Sequence, residues 1–280
     1  MSAANVSVVV PVLNEEVNIA RCLGGLEGFA EVIVVDSGST DATTAIARAL
    51  GATVVAFRWD GKFPKKRNWM LANFAFRTDW VLFLDADEQV TAAFRRELER
   101  VLPATPHAGF WVSYDNFFMG QRLRFGVPQR KLALFRKELG RFETIDESAW
   151  SELDMEVHEH PIIMGSVGAM KSRLIHRDYK SLTHFIRRHG DYSDWEARRF
   201  LALRRGGAAS APMTARQKIK YSLLPKLWFA LGYFAFAYVV RLGFLDGRGG
   251  LHYAAVKAIY FYQIALKVRE LRAAAASRTN

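Results

Sequence analysis

The stretch Val6-Ser-Val-Val-Val-Pro11-Val-Leu-Asn14-Glu15 decides the fold. Its β-branched run is continuous, not alternating, which marks a strand buried on both faces. A helical pattern follows from about Glu16 to Leu26. Glu31–Val35 repeats the strand signal and stops at Asp36-Ser-Gly-Ser-Thr-Asp41. Thr43–Leu50 reads as a helix closed by Gly51, since a helix often ends in a left-handed glycine. Thr53–Phe57 is a third strand, Lys65–Phe76 a helix and Trp80–Leu84 a fourth strand. Strands and helices alternating at this spacing predict a parallel α/β sheet with crossover helices. From Gly109 the texture changes to longer strands, Gly109–Met119 and Lys131–Arg136. From Ser181 it turns helical, with Gly206–Pro212 as a small-residue linker, an aromatic segment Leu227–Val240 and a last helix from about Leu251 to Ala276. The sequence thus predicts an α/β domain over 1–180 and a helical region over 181–280.

Length and composition narrow the possibilities. With 280 residues, half of them hydrophobic, the chain can bury a sizeable core, which excludes wholesale disorder. The 39 Lys+Arg against 28 Asp+Glu leave a net charge of +11. That excess is confined to residues 171–280, which hold 21 basic and 6 acidic side chains. Such asymmetry predicts an anionic partner for the C-terminal part, nucleic acid or a membrane surface. Cys22 is the sole cysteine, so no intramolecular disulfide forms, and a reducing compartment is expected. The N-terminus lacks the basic flank of a signal peptide, and no uninterrupted apolar stretch reaches the roughly 18 residues of a membrane span.

Ligands of open parallel sheets bind outside the carboxyl ends of the strands. Three polar clusters fall there: Pro11-Val-Leu-Asn14-Glu15, Asp36-Ser-Gly-Ser-Thr-Asp41 and Asp85-Ala-Asp87-Glu88. The glycine and small hydroxyls of the second allow close backbone approach to a ligand. Carboxylates of the third suit a hard divalent cation, Mg²⁺ or Mn²⁺, bridging to a diphosphate. Each alone has a plainer explanation, a solvated turn or a helix N-cap; their joint placement at successive strand ends is the signal. The glycine fingerprint of dinucleotide-binding folds and the P-loop are both absent.

These three motifs, in this order, resemble the inverting family 2 glycosyltransferases of the GT-A fold. The likeness is dense over residues 6–90. Val157-His158-Glu159 and Gly243-Phe-Leu-Asp246-Gly-Arg-Gly-Gly250 further resemble the bacterial lipopolysaccharide core glucosyltransferases. The resemblance implies a GT-A (Rossmann-like) nucleotide-sugar-binding sheet, with a donor half over about 1–105 and an acceptor half over about 106–180, while the basic, aromatic composition of 181–280 predicts a helical, membrane-associating extension. It implies that Pro11, Asn14 and Glu15 line the nucleoside pocket, and that Asp36 hydrogen-bonds uracil with Ser39 nearby. Lys66 and Asn68 would approach the diphosphate or sugar, although a solvated helix face also explains Lys65-Lys-Arg67. Asp85 would touch the ribose or the metal, and Asp87 would bind the metal. His158 or His176 would be a late metal or diphosphate ligand.

Inversion requires an acidic side chain to accept the acceptor's proton from the face opposite the leaving group. Candidates lie in Asp154-Met-Glu156-Val-His158-Glu159-His160. The resemblance favours Glu159, with Glu156 next; His160 reads as a satisfied, partly buried side chain. Processive synthases of the family carry a Gln-x-x-Arg-Trp motif and spanning helices, which this chain lacks, so transfer of a single hexose, glucose by resemblance, is expected. Leu227–Val240, flanked by Lys226 and Arg241, is too short to span but suits a membrane interface; burial against the domain is the alternative. The expected partners are a UDP-sugar, a lipid-linked anionic glycan such as lipopolysaccharide inner core, and the cytoplasmic face of the bacterial inner membrane, met as a peripheral or monotopic protein. Nucleic acid is not expected, because aromatics and arginines do not interleave. Polyprenyl phosphate or another glycolipid as acceptor, and a non-catalytic membrane-bound sugar-nucleotide-binding module, remain alternatives.

Overall fold

The computed structural model of the chain describes residues 4–60, 64–144, 160–204 and 215–277. They fall into two units, the first within 1–117, 128–144 and 153–179, the second within 118–127 and 180–280. In the first, Val6, Val8, Val9 and Val10 are all sealed from water, so β1 (Ala4–Val12) is a central strand. There follow α1 (Glu16–Gly24), β2 (Phe29–Asp36), α2 (Thr43–Ala49), β3 (Thr53–Ala56), α3 (Lys66–Asn73), β4 (Trp80–Phe83), the short β5 (Glu88–Gln89) and α4 (Ala92–Val101). The strands β6 (Gly109–Phe118), β8 (Arg130–Arg136), β9 (Gly140–Phe142), β10 (Pro161–Ile163) and β11 (Val167–His176) come next, while β7 (Gln121–Leu123) belongs to the second unit.

The main sheet runs β3-β2-β1-β4-β8-β6-β11-β5. β3, β2, β1 and β4 are mutually parallel, as the alternation predicted. Beyond β4 the sheet becomes mixed, for β8 pairs antiparallel with both β4 and β6. Alternate side chains of β1 enter separate cores. Val8 and Val10 pack with Ile19, Leu84, Phe94 and Leu98 on one face. Val9 packs with Ile33, Met70, Phe83 and Phe135 on the other. Gly51 takes φ +80° at the end of α2, as a closing glycine should. α3 is shorter than predicted, because Phe74 turns extended and its neighbour Phe76 enters the second core.

The second unit holds α5 (Leu182–Arg204), α6 (Ala215–Leu223), α7 (Trp228–Ala235) and α8 (Gly247–Ser277). Phe200, Tyr221, Leu224, Tyr260, Ile264 and Val268 form its core. α7 runs on through one π-helical turn, Phe236–Val240, and a 3-10 turn, Gly243–Asp246, leads into α8. No single described helix is long and apolar enough to cross a membrane; Trp228–Val240 and Gly243–Ser277 meet that test only as a pair bent by 73°. Trp228, Leu231, Phe236, Val239 and Val240 are exposed, while Phe229 and Tyr233 pack on Phe261 of α8, so the segment is buried on one face only.

α8 begins four residues before the predicted Leu251, inside Gly247-Arg-Gly-Gly250. A Cβ on Gly250 would lie 2.0 Å from the Gly243 carbonyl oxygen and 3.0 Å from Asp246 Cβ. Only glycine lets the two backbone segments approach this closely. Gly250→Ala is therefore expected to destabilise the protein by about 1–3 kcal/mol. Gly190→Ala, inside α5 with nothing within 4 Å of the added Cβ, is expected to stabilise it by about 0.5–1 kcal/mol. Thermal denaturation reads both, and shifts of the same sign would contradict the packing described.

Candidate functional site

Because β1, β2 and β4 are parallel, their three following loops emerge on one edge of the sheet. The first two loops are tied together. The Asn14 amide N–H donates to Ser39 Oγ (2.9 Å), and Asn14 Oδ1 accepts from the Thr40 N–H (2.8 Å). The Glu15 N–H donates to Thr43 Oγ1 (2.7 Å), and Asn18 Nδ2 donates to Glu15 Oε2 (2.8 Å). Asn14 adopts φ +54°, a conformation that asparagine tolerates better than most residues. Asp36 is buried at the end of β2, and its carboxylate accepts the N–H groups of Gly38 and Ser39, each at 3.1 Å. Pro11, opposite Val35 in the β1–β2 register, is half-buried beside them.

The third loop concentrates negative charge. One oxygen each of Asp85, Asp87 and Glu88 lies within 4.8 Å of the others. The sheet register supplies the opposing charge. Leu82 pairs with Leu134 in the antiparallel β4–β8 ladder, so three residues further on Asp85 meets Lys131. Lys131 Nζ donates to Asp85 Oδ2 and to Glu88 Oε1, the latter at 2.6 Å. Arg67 Nη2 donates to Asp85 Oδ1 at 3.2 Å. Glu88, wholly buried, also accepts the Asp85 N–H (3.1 Å), with the Tyr114 hydroxyl 3.5 Å away. On the other side β11 pairs His176 with Glu88 of β5 and Asn116 of β6. His176 Nε2 lies 3.4 Å from Asp87 Oδ2. Its Nδ1 is 2.9 Å from Asn116 Oδ1, and an amide oxygen only accepts, so Nδ1 carries the hydrogen.

These neighbours set the protonation states. Burial would raise the Asp85 carboxyl, but Lys131 and Arg67 outweigh it and hold Asp85 well below the usual range. Burial likewise opposes ionisation of Asp87, and His176 overcomes it. Glu88 goes the other way: burial, helped by Asp85 and Asp87 against Lys131, raises it. His176 is raised by Asp87 in spite of burial. The cluster is thus a set of oxygen donors faced by Lys131, Arg67 and the His176 imidazole. Oxygen donors of this kind, beside an imidazole whose Nε2 faces them, suit Mg²⁺ or Mn²⁺.

The structure brings Pro11, Asn14, Glu15, Asp36 and Ser39 to one edge, and joins Asp85, Asp87 and His176 in one cluster. Lys65 and Lys66 are buried and Arg67 reaches Asp85, so this is no solvated helix face. Asn68 is engaged elsewhere: its Nδ2 donates to the Phe142 carbonyl (3.0 Å) and its Oδ1 accepts the Phe142 N–H (2.8 Å), which staples α3 to β9. Glu156, His158 and Glu159 lie outside the described residues. His160 is exposed, not partly buried as predicted, and its carbonyl accepts the Glu143 N–H at 3.0 Å. Sequence reasoning missed Lys131, Arg67, Tyr114 and Asn116. The one signal for Lys131 was a lysine abutting the apolar run Leu132–Phe135.

Residues 7–158 match the family model described as glycosyl transferase family 2. The lipopolysaccharide core biosynthesis glycosyltransferase LpsC of Rhizobium meliloti is 27% identical over 274 residues, 92% of each chain. A glycosyltransferase of uncharacterised specificity from Rickettsia typhi is 27% identical over 248 residues, 86% of this chain and 81% of its own. Among solved structures, Mycobacterium tuberculosis glucosyl-3-phosphoglycerate synthase with Mn²⁺, UDP and glucosyl-3-phosphoglycerate is 31% identical. It covers 41% of this chain and 44% of its own with a TM-score of 0.31, too low for its contacts to be carried over.

The charge balance yields an expectation. Lys131→Met leaves buried Glu88 without its cation and is expected to cost about 2 kcal/mol in chelator, less than a fully buried pair because water screens the lysine. Mn²⁺ is expected to restore most of that loss. Thermal melting with EDTA and with Mn²⁺ reads both effects, and a variant that melts like wild type in EDTA would contradict the balance.

Proposed function

The chain belongs to glycosyl transferase family 2, and from that premise we propose that it moves one hexose, glucose by its motifs, from a UDP-sugar to a lipid-linked glycan acceptor with inversion at the anomeric carbon. The observation that carries this reading is the convergence of Asp85, Asp87 and Glu88 with His176 at the strand ends, beside the loop that Asp36 organises. Asp36 uses lone pairs on Gly38 and Ser39 and has others left, and a carboxylate can accept the imide N–H of uracil. Pro11, Asn14, Glu15 and Ser39 wall the nucleoside. Lys66 and Arg67 face the diphosphate, while Asn68 holds α3 and β9 in place.

Asp87, Asp85 and the Nε2 of His176 would hold Mg²⁺ or Mn²⁺, with His158 as a further ligand. A divalent cation there supplies positive charge that offsets the charge gathering on the leaving diphosphate. Asn116 keeps the His176 hydrogen on Nδ1, so neutral His176 offers a lone pair on Nε2. Lys131 holds Asp85 and Glu88 in position and favours the ionised form of both. Glu159, or failing it Glu156, accepts the proton of the attacking hydroxyl. The similarity to LpsC over 92% of each chain supports lipopolysaccharide core as the acceptor. The basic second unit and its exposed aromatic segment support work at the cytoplasmic face of the inner membrane, as a peripheral or monotopic protein.

Two variants test the reading. Asp87→Ala is expected to cut Mn²⁺-dependent UDP release from UDP-glucose and lipopolysaccharide acceptor by about 100-fold or more; undiminished release would remove Asp87 from the metal site. Glu159→Gln is expected to bind UDP normally yet lose about 10²–10⁴-fold in transfer. Substantial turnover in that variant would move the base to Glu156.

A further inference from the structure

Gly243-Phe-Leu-Asp246-Gly-Arg-Gly-Gly250 has no part in the site above, yet it is tightly built into the second unit. The Asp246 carboxylate accepts the N–H groups of Arg124 (3.0 Å) and Phe125 (2.9 Å), and Gln121 Nε2 donates to the Asp246 carbonyl. The Gly126 N–H donates to the Arg241 carbonyl at 2.9 Å. With the close approach of Gly243 to Gly250, these bonds fix the 121–126 segment against the bend between α7 and α8. Between them lies a small cleft open to solvent, whose walls include Leu123, Phe125, Tyr233, Ala237 and Tyr253 and to which Lys257 contributes the cation.

Lys257 is half-buried, and no described carboxylate forms an ion pair with it. Its Nζ lies 3.4 Å from His189 Nε2 and 5.1 Å from the centre of the Tyr260 ring. His189 Nδ1 donates to the Phe185 carbonyl at 2.9 Å, so Nε2 presents a lone pair; burial and Lys257 push this imidazole down to about 4, and it stays neutral. Burial, with Lys220 and Arg188 adding repulsion, pushes Lys257 itself down to about 8. The Asp246 carboxylate also lines the cleft, but its oxygens are engaged by the N–H groups of Arg124 and Phe125. Lys220 is likewise engaged, 2.6 Å from Glu196. A cation beside apolar walls, near Lys220 and Arg188 and with no described carboxylate paired to it, is costly unless an anion joins it.

The bend supplies a second, independent observation. Phe236, Val239, Val240, Leu242, Phe244 and Leu245 are between 44% and 66% exposed, on the same turns that give Ala237 and Gly243 to the cleft. Apolar side chains beside a cation in an apolar cleft match an amphiphile with an anionic head.

We propose that the Lys257 cleft binds the phosphate of an anionic lipid while the exposed apolar residues of the bend sit in the same leaflet. The inference deepens the reading of a lipid-linked acceptor at a membrane and rests on it. Binding is read without donor sugar or metal, so its failure is distinguishable from failure of the transferase reading, which UDP release tests.

The test is co-sedimentation of the full chain with phosphatidylcholine vesicles, with and without phosphatidylglycerol. Lys257→Met is expected to weaken binding to the anionic vesicles by about tenfold or more, as loss of a charge-assisted hydrogen bond would. Lys226→Met, which removes an exposed charge over the Trp228 ring, is expected to weaken it by no more than about threefold, and Lys257→Arg to retain it. Equal losses for Lys257→Met and Lys226→Met, or none for Lys257→Met, would overturn the proposal. Should Lys257→Met fail to fold, Lys257→Gln takes its place. A melting experiment separates lipid from free anion: short-chain phosphatidylglycerol is expected to stabilise wild type and not Lys257→Met. An equal stabilisation of wild type by inorganic phosphate would overturn the assignment to lipid.

Discussion

Three carboxylates held within 4.8 Å of one another at the end of β4 repel, and the first unit is arranged around answering that repulsion. Glu88 has no exposed surface, so water cannot screen it, and a fixed cation must. Lys131, Arg67 and His176 come from three separate elements to do so. The mixed topology of the sheet follows the same constraint. β8 must run antiparallel to β4 for Lys131 to stand at the height of Asp85, and β11 must pair with β5 for His176 to reach Asp87. A parallel sheet throughout would bring the carboxylates together and leave their counter-charges elsewhere.

This explains which parts were legible in the sequence. The β-branched run at Val6–Val10, the closing glycine at Gly51 and the polar clusters after three strands are local signals, and they located the parallel half and its ligand edge. The counter-charges are not local. Asp85 and Lys131 are 46 residues apart, and their meeting depends on an antiparallel register that no propensity encodes. Arg67 was overlooked beside Lys66 and Asn68 because helix phase alone does not say which of three successive residues turns to the acid. The start of α8 was hidden by three glycines, which disfavour helix by propensity but are required by the contact between Gly243 and Gly250.

The charge of the chain divides along similar lines. In the first unit acidic groups are enclosed and individually balanced, which suits a ligand bringing both a cation and a diphosphate. In the second, basic groups outnumber acidic ones, and no described carboxylate forms an ion pair with Lys257, which stands near exposed apolar side chains. Among the described residues, the second unit therefore leaves a charge requirement that the first does not. An anionic lipid would meet it, whereas the balanced first unit suits a nucleotide sugar that brings its own divalent cation.

The most direct measurement of the central claim is Mn²⁺ binding followed by electron paramagnetic resonance, with and without UDP. With Lys131 and His176 already balancing the acids, the cation should bind weakly alone. Together with UDP, whose phosphates add ligands and negative charge, it should bind with a stoichiometry of about one per chain. Failure of UDP to increase Mn²⁺ retention, or retention undiminished in Asp87→Ala, would contradict the account.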